Sequence, residues 1–309
     1  MAEKKFRLVT RSDMDGLVCA VILKEVGIID EITFVHPKDM QDGTIEITEN
    51  DIITNLPYVA NAHLVFDHHE SEAMRNGEAD NYFIDASAPS AARIVYNYYG
   101  GAEKLPQVSN EMMLAVDKAD AAQFTIDDIL NPQGWELLSF LMDSRTGLGR
   151  FREFTVSNYQ LMMDLIDYCI DHDINDIMKL SDVVERVELF NKYSDDFIDQ
   201  LQRCTTLHDN LVILDLRDEE IIYPGNRFTI YALYPDTNIS IHVLWGFKQQ
   251  NTVFATGKSI VNRSSKTNIG ELMYKYGGGG HNAAGTCQID NDKAQDTLKE
   301  LISAITTDG

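Results

Sequence analysis

The stretch that decides the fold is Leu64-Val65-Phe66-Asp67-His68-His69-Glu70, in which three apolar residues are followed at once by a carboxylate and two imidazoles. An apolar run of this length predicts a buried β-strand, because it is too short for a helix. Carboxylates and imidazoles are both ligands of divalent metals. The stretch therefore predicts a strand that ends at a metal site, with a polar surface turn as the alternative.

The overall composition is that of a globular protein large enough for two domains. The chain has 309 residues, of which 44% are hydrophobic and 24% are charged. No apolar run approaches the roughly 20 residues that span a bilayer, and the first residues show no signal-peptide pattern. Scattered cysteines favour a reducing cytoplasm and argue against a cysteine-based zinc site; they are Cys19, Cys169, Cys204 and Cys287.

The charge balance limits the kind of partner. Against 26 lysines and arginines stand 49 acidic residues, which gives a formal net charge of −23. Such a chain repels long nucleic acid, because affinity for phosphate comes mostly from Lys and Arg. An anionic substrate must therefore be small, or be held by a bound metal and a few arginines. Alternatively, the acidity serves only solubility.

A second acidic turn follows the first predicted strand, at residues 6–10. Asp13-Met14-Asp15-Gly16 precedes an apolar helix that runs to Val26 and ends at Gly27. Two carboxylates in an Asp-x-Asp turn after a strand can point at one cation, and a glycine lets the backbone turn into the helix. The alternative is that the two aspartates only cap the helix.

Further strands are predicted at residues 31–35, 51–54 and 64–66, each followed by polar residues. Ligands of open α/β sheets bind outside the carboxyl ends of the strands, so this convergence favours the metal site. A helix predicted at residues 90–99 follows, and another at 109–121 carries Asp117 and Asp120, three residues apart and therefore on one face. One of these carboxylates completes a ligand set, or both lie at a solvated helix end.

Residues 143–152 reverse the acidic trend, with three arginines and two glycines in the eight residues from Arg145 to Arg152. They predict an anion-binding loop, or else a surface loop paired to acidic neighbours. Residues 157–204 repeat apolar positions at spacings of three and four, which predicts packed helices that connect two domains.

The last hundred residues change to a β-rich pattern. Strands are predicted at residues 211–216, 228–234, 239–245 and 252–260, with a short helix from Asn268 to Tyr276 and a last helix near residues 292–305. Between the helices stands Gly277-Gly278-Gly279-Gly280-His281. Four glycines expose backbone N–H groups that can hold a phosphate; a flexible linker is the alternative.

Three of these motifs, in this order, resemble the DHH phosphoesterase superfamily with its C-terminal DHHA1 domain. They are Asp13-Met14-Asp15-Gly16, Asp67-His68-His69, and Gly278-Gly279-Gly280-His281-Asn282-Ala283-Ala284-Gly285. The resemblance implies an α/β fold with two domains around a cleft. Residues 1–190 would form a parallel-sheet DHH domain with helices on both faces, residues 191–207 a helical connector, and residues 208–309 a smaller mixed-sheet α/β DHHA1 domain.

The resemblance also assigns residues, by position in this chain. The metal ligands, for Mn²⁺ or Mg²⁺, would be Asp13, Asp15, His68 and Asp120. Arg11, Asp13, His69 and His281 would be catalytic, with Arg11 and His281 stabilising the transition-state charge and His69 protonating the leaving oxygen. The substrate would be bound in the second domain by Arg263, Ser264, Gly278, Gly279, Gly280 and His281.

Two positions depart from the family pattern. Arg11 stands where the first motif usually has a histidine ligand, and Asn55 is the best match to an aspartate that usually bridges two metals. Asn55 is neutral and bridges cations poorly, whereas Arg11 places a fixed positive charge in the region of the second metal. These departures predict a site with one firmly held metal, in which Arg11 replaces the other.

The expected activity is that of a cytoplasmic, metal-dependent phosphoesterase acting on a small phosphate-containing substrate, such as a nucleotide or a short single-stranded oligonucleotide. Neither a long duplex nor a membrane is an expected partner, and a homodimer is left open. One alternative is an exopolyphosphatase or pyrophosphatase, although arginines and lysines are few. Another is a degenerate nucleotide-binding module, which Arg11 and Asn55 would favour.

Overall fold

The computed structural model describes residues 4–151 and 153–309. The chain divides into two compact units. The first contains the residues up to Gln123 together with Pro132–Leu189, and the second contains Phe124–Asn131 together with Phe190–Gly309. The domain boundaries expected after residues 190 and 207 stay a prediction.

The first unit is built on a parallel sheet, as predicted. Its strand order is β2-β1-β3-β4-β5, and each neighbouring pair is parallel. The strands are β1 (Phe6–Thr10), β2 (Ile29–Phe34), β3 (Asp51–Thr54), β4 (Leu64–Asp67) and β5 (Tyr82–Ile84). Because all five strands are parallel, their carboxyl ends lie at one edge of the sheet, and Asp13, Asn55 and His68 follow three of these ends.

Helices surround this sheet and lead into the second unit. In chain order they are α1 (Met14–Val26), α2 (Pro37–Gln41), α3 (Glu70–Arg75), α4 (Ala91–Tyr98), α5 (Gly101–Lys104), α6 (Asn110–Asp120), α7 (Ile126–Leu130), α8 (Gly134–Met142), α9 (Asn158–Asp171), α10 (Ile174–Ile177) and α11 (Ser181–Lys192). Of these, α7 belongs to the second unit, and α11 crosses the boundary between the two units after Leu189.

Both faces of the parallel sheet are buried. Leu8, Ile52 and Phe66 belong to the larger core cluster, with residues from α1, α4, α6, α8 and α9. Their neighbours along the strands, including Val9 and Val65, belong to a second cluster with Met40 of α2 and apolar residues of the segment 45–62. Burial on both faces explains why these strands are continuous apolar runs without alternation.

The second unit is built on a mixed sheet, also as predicted. Its order is β10-β11-β9-β8-β7-β6, in which β7 and β8 are parallel and the other pairs are antiparallel. The strands are β6 (Thr205–His208), β7 (Leu211–Asp215), β8 (Ile239–Trp245), β9 (Thr252–Lys258), β10 (Gly279–His281) and β11 (Ala284–Ile289). The helices are α12 (Ser194–Arg203), α13 (Thr229–Leu233), α14 (Ile269–Tyr274) and α15 (Ala294–Asp308). Residues of α14 and α15 complete the core.

The secondary structure differs from the sequence prediction in three places. Residues 228–234 were predicted as a strand, and this is wrong, because they contain helix α13. All of Thr229 to Ala232 are buried, so no alternation of apolar and polar residues distinguishes the two conformations. Residues 37–51 were predicted as a polar loop or hairpin, and this segment begins with the short helix α2, which has Pro37 in its first turn. Strand β6 begins in the segment predicted as a helical connector, residues 191–207, and ends one residue beyond it. None of the helices in the described residues is long and apolar enough to cross a bilayer.

Candidate active site

The turn after β1 carries the first two predicted site residues. Asp13 is the N-cap of α1, and its Oδ1 accepts a hydrogen bond of 3.0 Å from the Gly16 amide. A Cβ at Gly16 would lie 1.9 Å from the Arg11 carbonyl oxygen, so only glycine allows this close turn. Asp13 therefore has the predicted capping role, whereas Asp15 lies in the first turn of the helix and does not cap it.

The Asp15 carboxylate is fixed by backbone amides of α4. It is fully buried, and it accepts hydrogen bonds from the amides of Ala91 (2.9 Å) and Ala92 (2.7 Å). Burial raises the pKa of Asp15 well above its usual value, and the Asp120 carboxylate raises it further, whereas His68 opposes the shift. An acidic group held in this position needs a positive partner to stay ionised.

Asp67, at the end of β4, orients the two histidines that follow it. Its side chain is fully buried, and Oδ1 lies 2.9 Å from the His68 amide and 2.7 Å from Nδ1 of His69. A carboxylate at Nδ1 fixes the tautomer and the orientation of an imidazole. The Asp67 side chain was not predicted as a functional group of its own; the signal was its position directly before the two histidines.

His68 points its Nε2 at two carboxylates. Nδ1 lies 3.3 Å from the Ala88 carbonyl oxygen and so must be the donor, which directs Nε2 to Oδ2 of Asp120 at 2.8 Å and Oδ2 of Asp15 at 4.0 Å. The contact with Asp120 lacks hydrogen-bond angles, so among the described residues the buried Nε2 has no hydrogen-bond partner. Burial lowers the pKa of His68, but Asp120, Asp15 and Asp67 together raise it to about 9.

Asp15, His68 and Asp120 fit a divalent cation. Each offers one ligand atom, and these atoms lie within 4.8 Å of one another. Two carboxylate oxygens and one imidazole nitrogen are suitable ligands for Mn²⁺. The Nδ1 contact of His68 with a backbone carbonyl is the usual support of a metal-binding histidine, and a cation would supply the partner that the buried Nε2 lacks. The chain therefore has a suitable site for a divalent metal.

The positions that depart from the family pattern, Arg11 and Asn55, both contact Asp13. Nε of Arg11 lies 3.0 Å from Oδ2 of Asp13, and Nδ2 of Asn55 donates a 3.0 Å hydrogen bond to Oδ1. Burial raises the pKa of Asp13, and Arg11 partly opposes this shift. Asp13, predicted as a metal ligand, is thus next to the group of three ligands in sequence, but its carboxylate is engaged by Arg11, Asn55 and the Gly16 amide.

Asp117 and Asp120, which share one face of helix α6 and which their spacing alone could not rank, have different partners in the structure. Asp117 accepts a hydrogen bond from Ser90 at 2.7 Å and pairs with Arg93, so it ties α6 to α4. Asp120 instead meets His68. The sequence expectation that one of the two completes a ligand group therefore applies to Asp120.

The arginine-rich loop forms two short 3-10 turns, Ser144–Thr146 and Leu148–Arg150. Nε of Arg145 lies 2.7 Å from Oδ1 of Asp143, which matches the expected pairing with an acidic neighbour. Arg145 also lowers the pKa of Asp13 electrostatically, so its charge reaches the turn after β1. Arg152, which the prediction included, lies outside the described residues.

The glycine run of the second unit forms a strand rather than an open loop. Gly279–His281 is β10, paired with β11 so that Gly280 faces Gly285. A Cβ would lie 2.1 Å from the Thr286 carbonyl oxygen at Gly278 and 2.2 Å from the Ala284 carbonyl oxygen at Gly280. At Gly279 a Cβ would meet nothing within 4 Å. Packing therefore accounts for Gly278 and Gly280, whereas the space around Gly279, as around Gly277, is open, so the backbone of Gly279 is accessible to a ligand.

The other predicted substrate residues also lie in the second unit. Nε of Arg263 donates to the Ile260 carbonyl oxygen at 3.1 Å, and Oγ of Ser264 accepts from Asn238 at 3.0 Å. His281 is exposed at the end of β10. The substrate role of these residues stays a prediction.

Comparisons with known proteins identify the relatives of this chain. A solved structure of the pGpG-specific phosphodiesterase PggH from Vibrio cholerae is similar, with 62% sequence identity, a TM-score of 0.88, and coverage of 99% of this chain and 100% of that chain. RecJ from Thermus thermophilus, solved with Mn²⁺, has a TM-score of 0.54 at 13% identity and covers 98% of this chain and 52% of that chain, which shows a shared fold.

Two other comparisons add little. An A-adding tRNA nucleotidyltransferase from Aquifex aeolicus is 34% identical over 77 residues, a segment that spans 23% of this chain and only 9% of that enzyme. No family model matches the chain.

The full-length relative and the arrangement of the motifs place the chain in the DHH/DHHA1 phosphoesterase superfamily. It is a phosphoesterase, a hydrolase that acts on phosphoric ester bonds, and the cluster of Asp15, His68 and Asp120 fits a divalent metal. The comparisons do not favour the polyphosphatase-type alternative or the degenerate binding module.

Proposed function

We propose that the chain hydrolyses the linear dinucleotide pGpG to two molecules of GMP. The observation that carries this proposal is the 62% identity, over the whole chain, to a phosphodiesterase specific for pGpG. A short dinucleotide also suits the net charge of −23, since such a chain has few cations for a long polyanion.

The proposed metal ligands are Asp15, His68 and Asp120, and the proposed ion is Mn²⁺. Imidazole nitrogen suits manganese better than magnesium, which prefers an all-oxygen shell. When bound, the ion would neutralise charge on the phosphoryl oxygens and lower the pKa of a water molecule. The amides of Ala91 and Ala92 keep the Asp15 carboxylate in place for this role.

Arg11 is proposed to stabilise the negative charge on the phosphoryl oxygens that the single metal does not neutralise. Its Nε is occupied by Asp13 at 3.0 Å, but a guanidinium has five N–H donors, and the others can bind phosphoryl oxygens in the transition state. Asn55 has no charge with which to bridge two cations. We therefore propose one firmly held metal, with Arg11 taking the place of the second, and Asp13 holding Arg11 in position.

His69 is the proposed general acid. Water attacks phosphorus, the bond from phosphorus to the 3′ oxygen breaks, and His69 donates a proton to that oxygen. Asp67, 2.7 Å from Nδ1, keeps the ring oriented with Nε2 available for the transfer. The products are two GMP molecules, so one water is consumed for each bond cleaved.

In the second unit we propose that the backbone of Gly279, together with His281, Arg263 and Ser264, binds a phosphate of the substrate. The exposed backbone of β10 supports this assignment. Gly278 and Gly280 would contribute by shaping the strand rather than by direct contact.

The test is hydrolysis of pGpG, pApA, short RNA, short DNA and polyphosphate in the presence of Mn²⁺. We expect pGpG to be cleaved fastest. We expect His68→Ala to lower kcat at least about 1,000-fold, because metal catalysis contributes several kcal/mol. His208→Ala, a histidine on the exposed strand β6, is the matched control and should retain wild-type rates. Faster cleavage of polyphosphate, or full activity in His68→Ala, would refute the proposal.

The one-metal arrangement has its own variant. Arg11→His combined with Asn55→Asp supplies the two ligands that the family pattern has and this chain lacks. We expect the double variant to bind a second Mn²⁺ that the wild type does not hold. An unchanged stoichiometry in the folded double variant would show that these two positions do not control the number of ions.

A further inference from the structure

A pocket of about 390 Å³ lies in the first unit beyond the carboxyl ends of β1 and β2. Arg11 and Ser12 line it on the β1 side, and the segment from Phe34 to Pro37 lines it after β2. Loops and helices from the later part of the unit complete the wall. The volume is in the usual range for a site that holds a small organic ligand.

Arg11 connects this pocket with the proposed active site. The same side chain that lines the pocket places its Nε 3.0 Å from Asp13. A molecule in the pocket would therefore lie beside the guanidinium that we propose to bind the phosphoryl oxygens. A substrate with its phosphate at Arg11 has room for an adjoining group here.

The walls are unsuited to a bare phosphate and suited to a flat apolar group. Phe34 and Tyr159 form an edge-to-face pair, with ring centroids 5.8 Å apart and planes at 83°. Aliphatic and thioether side chains complete the lining, among them Leu138, Leu141, Met142 and Met162. Nucleobases bind proteins by stacking on such surfaces, whereas inorganic phosphate or polyphosphate gains nothing from them.

The polar residues of the pocket offer a donor and an acceptor. Oδ1 of Asn158 accepts hydrogen bonds from Nε (3.2 Å) and Nη2 (3.0 Å) of Arg186, so the orientation of the amide is fixed and Nδ2 is its donor. This Nδ2 stands 3.8 Å from where a Cβ of Gly149, another lining residue, would be. Oδ1 of Asp143 accepts from Arg145, and a carboxylate has lone pairs for further donors.

This combination matches guanine. Guanine carries an acceptor, O6, beside two neighbouring donors, N1–H and N2–H, which an amide N–H and a carboxylate can bind together. Adenine placed in the same orientation presents the N6 donor where guanine has the O6 acceptor, and the N1 acceptor where guanine has the N1–H donor, so the same pair of side chains would meet it with the wrong polarity. Polar groups that a bound base covers and leaves unpaired are the usual basis of rejection.

We propose that this pocket binds a guanine base of the substrate, stacked against Tyr159 and recognised at its edge by Asn158 and Asp143. The inference rests on the proposed function, because it specifies how pGpG is recognised. It makes Tyr159 an affinity determinant and Asn158 a specificity determinant, separate from the residues that carry out the chemistry.

The first experiment is steady-state hydrolysis of pGpG and pApA by the full-length protein. Tyr159, which is 52% exposed, tolerates replacement, and we expect Tyr159→Ala to raise KM for pGpG roughly tenfold with little change in kcat, because stacking contributes to substrate and transition state alike. Asn158→Asp keeps the oxygen that holds Arg186 and removes the donor, so the preference for pGpG over pApA should fall roughly tenfold.

Phe247→Ala is the matched control, because Phe247 is an aromatic residue, 73% exposed, in the second unit. It should change neither constant by more than about twofold. Thermal unfolding of each variant verifies that it is folded. If wild type and control cleave pGpG while Tyr159→Ala and Asn158→Asp keep the wild-type KM and base preference, the pocket inference is overturned and the proposed function stands.

A second experiment does not depend on catalysis. Calorimetry of GMP with the metal-free protein should show binding that Tyr159→Ala weakens roughly tenfold and that AMP does not reproduce. Absence of GMP binding by the wild type, or equal binding by wild type and variant, contradicts the pocket assignment. Failure of the wild type to cleave pGpG would instead refute the proposed function, and the binding result would still decide whether this pocket takes guanine.

Discussion

The carboxyl edge of the parallel sheet and the glycine strand β10 differ in the kind of functional group that they present. At the sheet edge the groups are side chains: Asp15 and Asp67 are buried, and backbone amides or ring nitrogens hold their carboxylates. In β10 two of the three residues are glycines, so much of what this strand exposes is backbone, with His281 as its one large side chain. The sheet edge positions charged side chains, whereas the glycines of β10 leave the backbone accessible.

This contrast shows that the function of some motif residues can be inferred from residue type alone, whereas for others it can be inferred only from the three-dimensional structure. At the sheet edge, residue type already points to metal binding. In the glycine run all residues have the same type, and only the space around each one separates Gly279, which meets nothing within 4 Å, from Gly280, where the Ala284 carbonyl oxygen is 2.2 Å from a Cβ. The predictions below test each side of the contrast.

The largest expected effect concerns Asp67, which we place behind the general acid rather than at the metal. Asp67→Asn removes the carboxylate that orients the ring of His69, so kcat should fall about 100-fold, while the affinity for Mn²⁺ changes by less than about threefold. Rates at saturating pGpG and calorimetry of Mn²⁺ measure the two quantities.

The control for this prediction is a double-variant cycle. If Asp67 acts through His69, then His69→Gln and the combination with Asp67→Asn should be no slower than the slower single variant. Additive losses, or a Mn²⁺ affinity that falls together with kcat, would show that Asp67 supports the metal site instead.

The next effect concerns the stability of the second unit. Gly280→Ala puts a methyl group against the Ala284 carbonyl oxygen, so the two strands must separate locally, and we expect a loss of about 3 kcal/mol in the free energy of unfolding. Gly279→Ala should cost less than about 1 kcal/mol and yet raise KM for pGpG. Urea unfolding and kinetics of the two variants measure this; equal stability losses would contradict the packing explanation.

The smallest effect is the pH dependence of metal binding. In the metal-free chain, burial lowers the pKa of His68 but the neighbouring carboxylates raise it to about 9, from an ordinary value of 6.5. Below the raised pKa a proton occupies the ring, and a cation must displace it. The affinity for Mn²⁺ should therefore increase about tenfold per pH unit between about pH 6.5 and 8. An affinity that is constant across this range would be the contrary result.

Much of the first unit could be predicted from its sequence, because its signals are local. The strand at residues 6–10, the helix that Gly27 ends, and the polar residues after three strands are each readable from a few neighbouring residues. The convergence of Asp15 and His68 also followed, since parallel strands bring their carboxyl ends to one edge.

What could not be predicted depends on contacts between distant parts of the chain. Nothing local shows that Asp117 pairs with Arg93 while Asp120 meets His68. Helix α13 resembled a strand because it is buried on several sides. The pocket near Arg11 is lined by segments more than a hundred residues apart in sequence, so no single motif predicts it.

The most direct test of the account is the number of Mn²⁺ ions bound per chain, measured by elemental analysis and by calorimetry on the wild type and on His68→Ala. The account predicts one tightly held ion in the wild type and none in the variant, because Asp15, His68 and Asp120 form the ligand group and Arg11 occupies the region of a second ion. Two tightly held ions in the wild type, or an undiminished ion in His68→Ala, would contradict it.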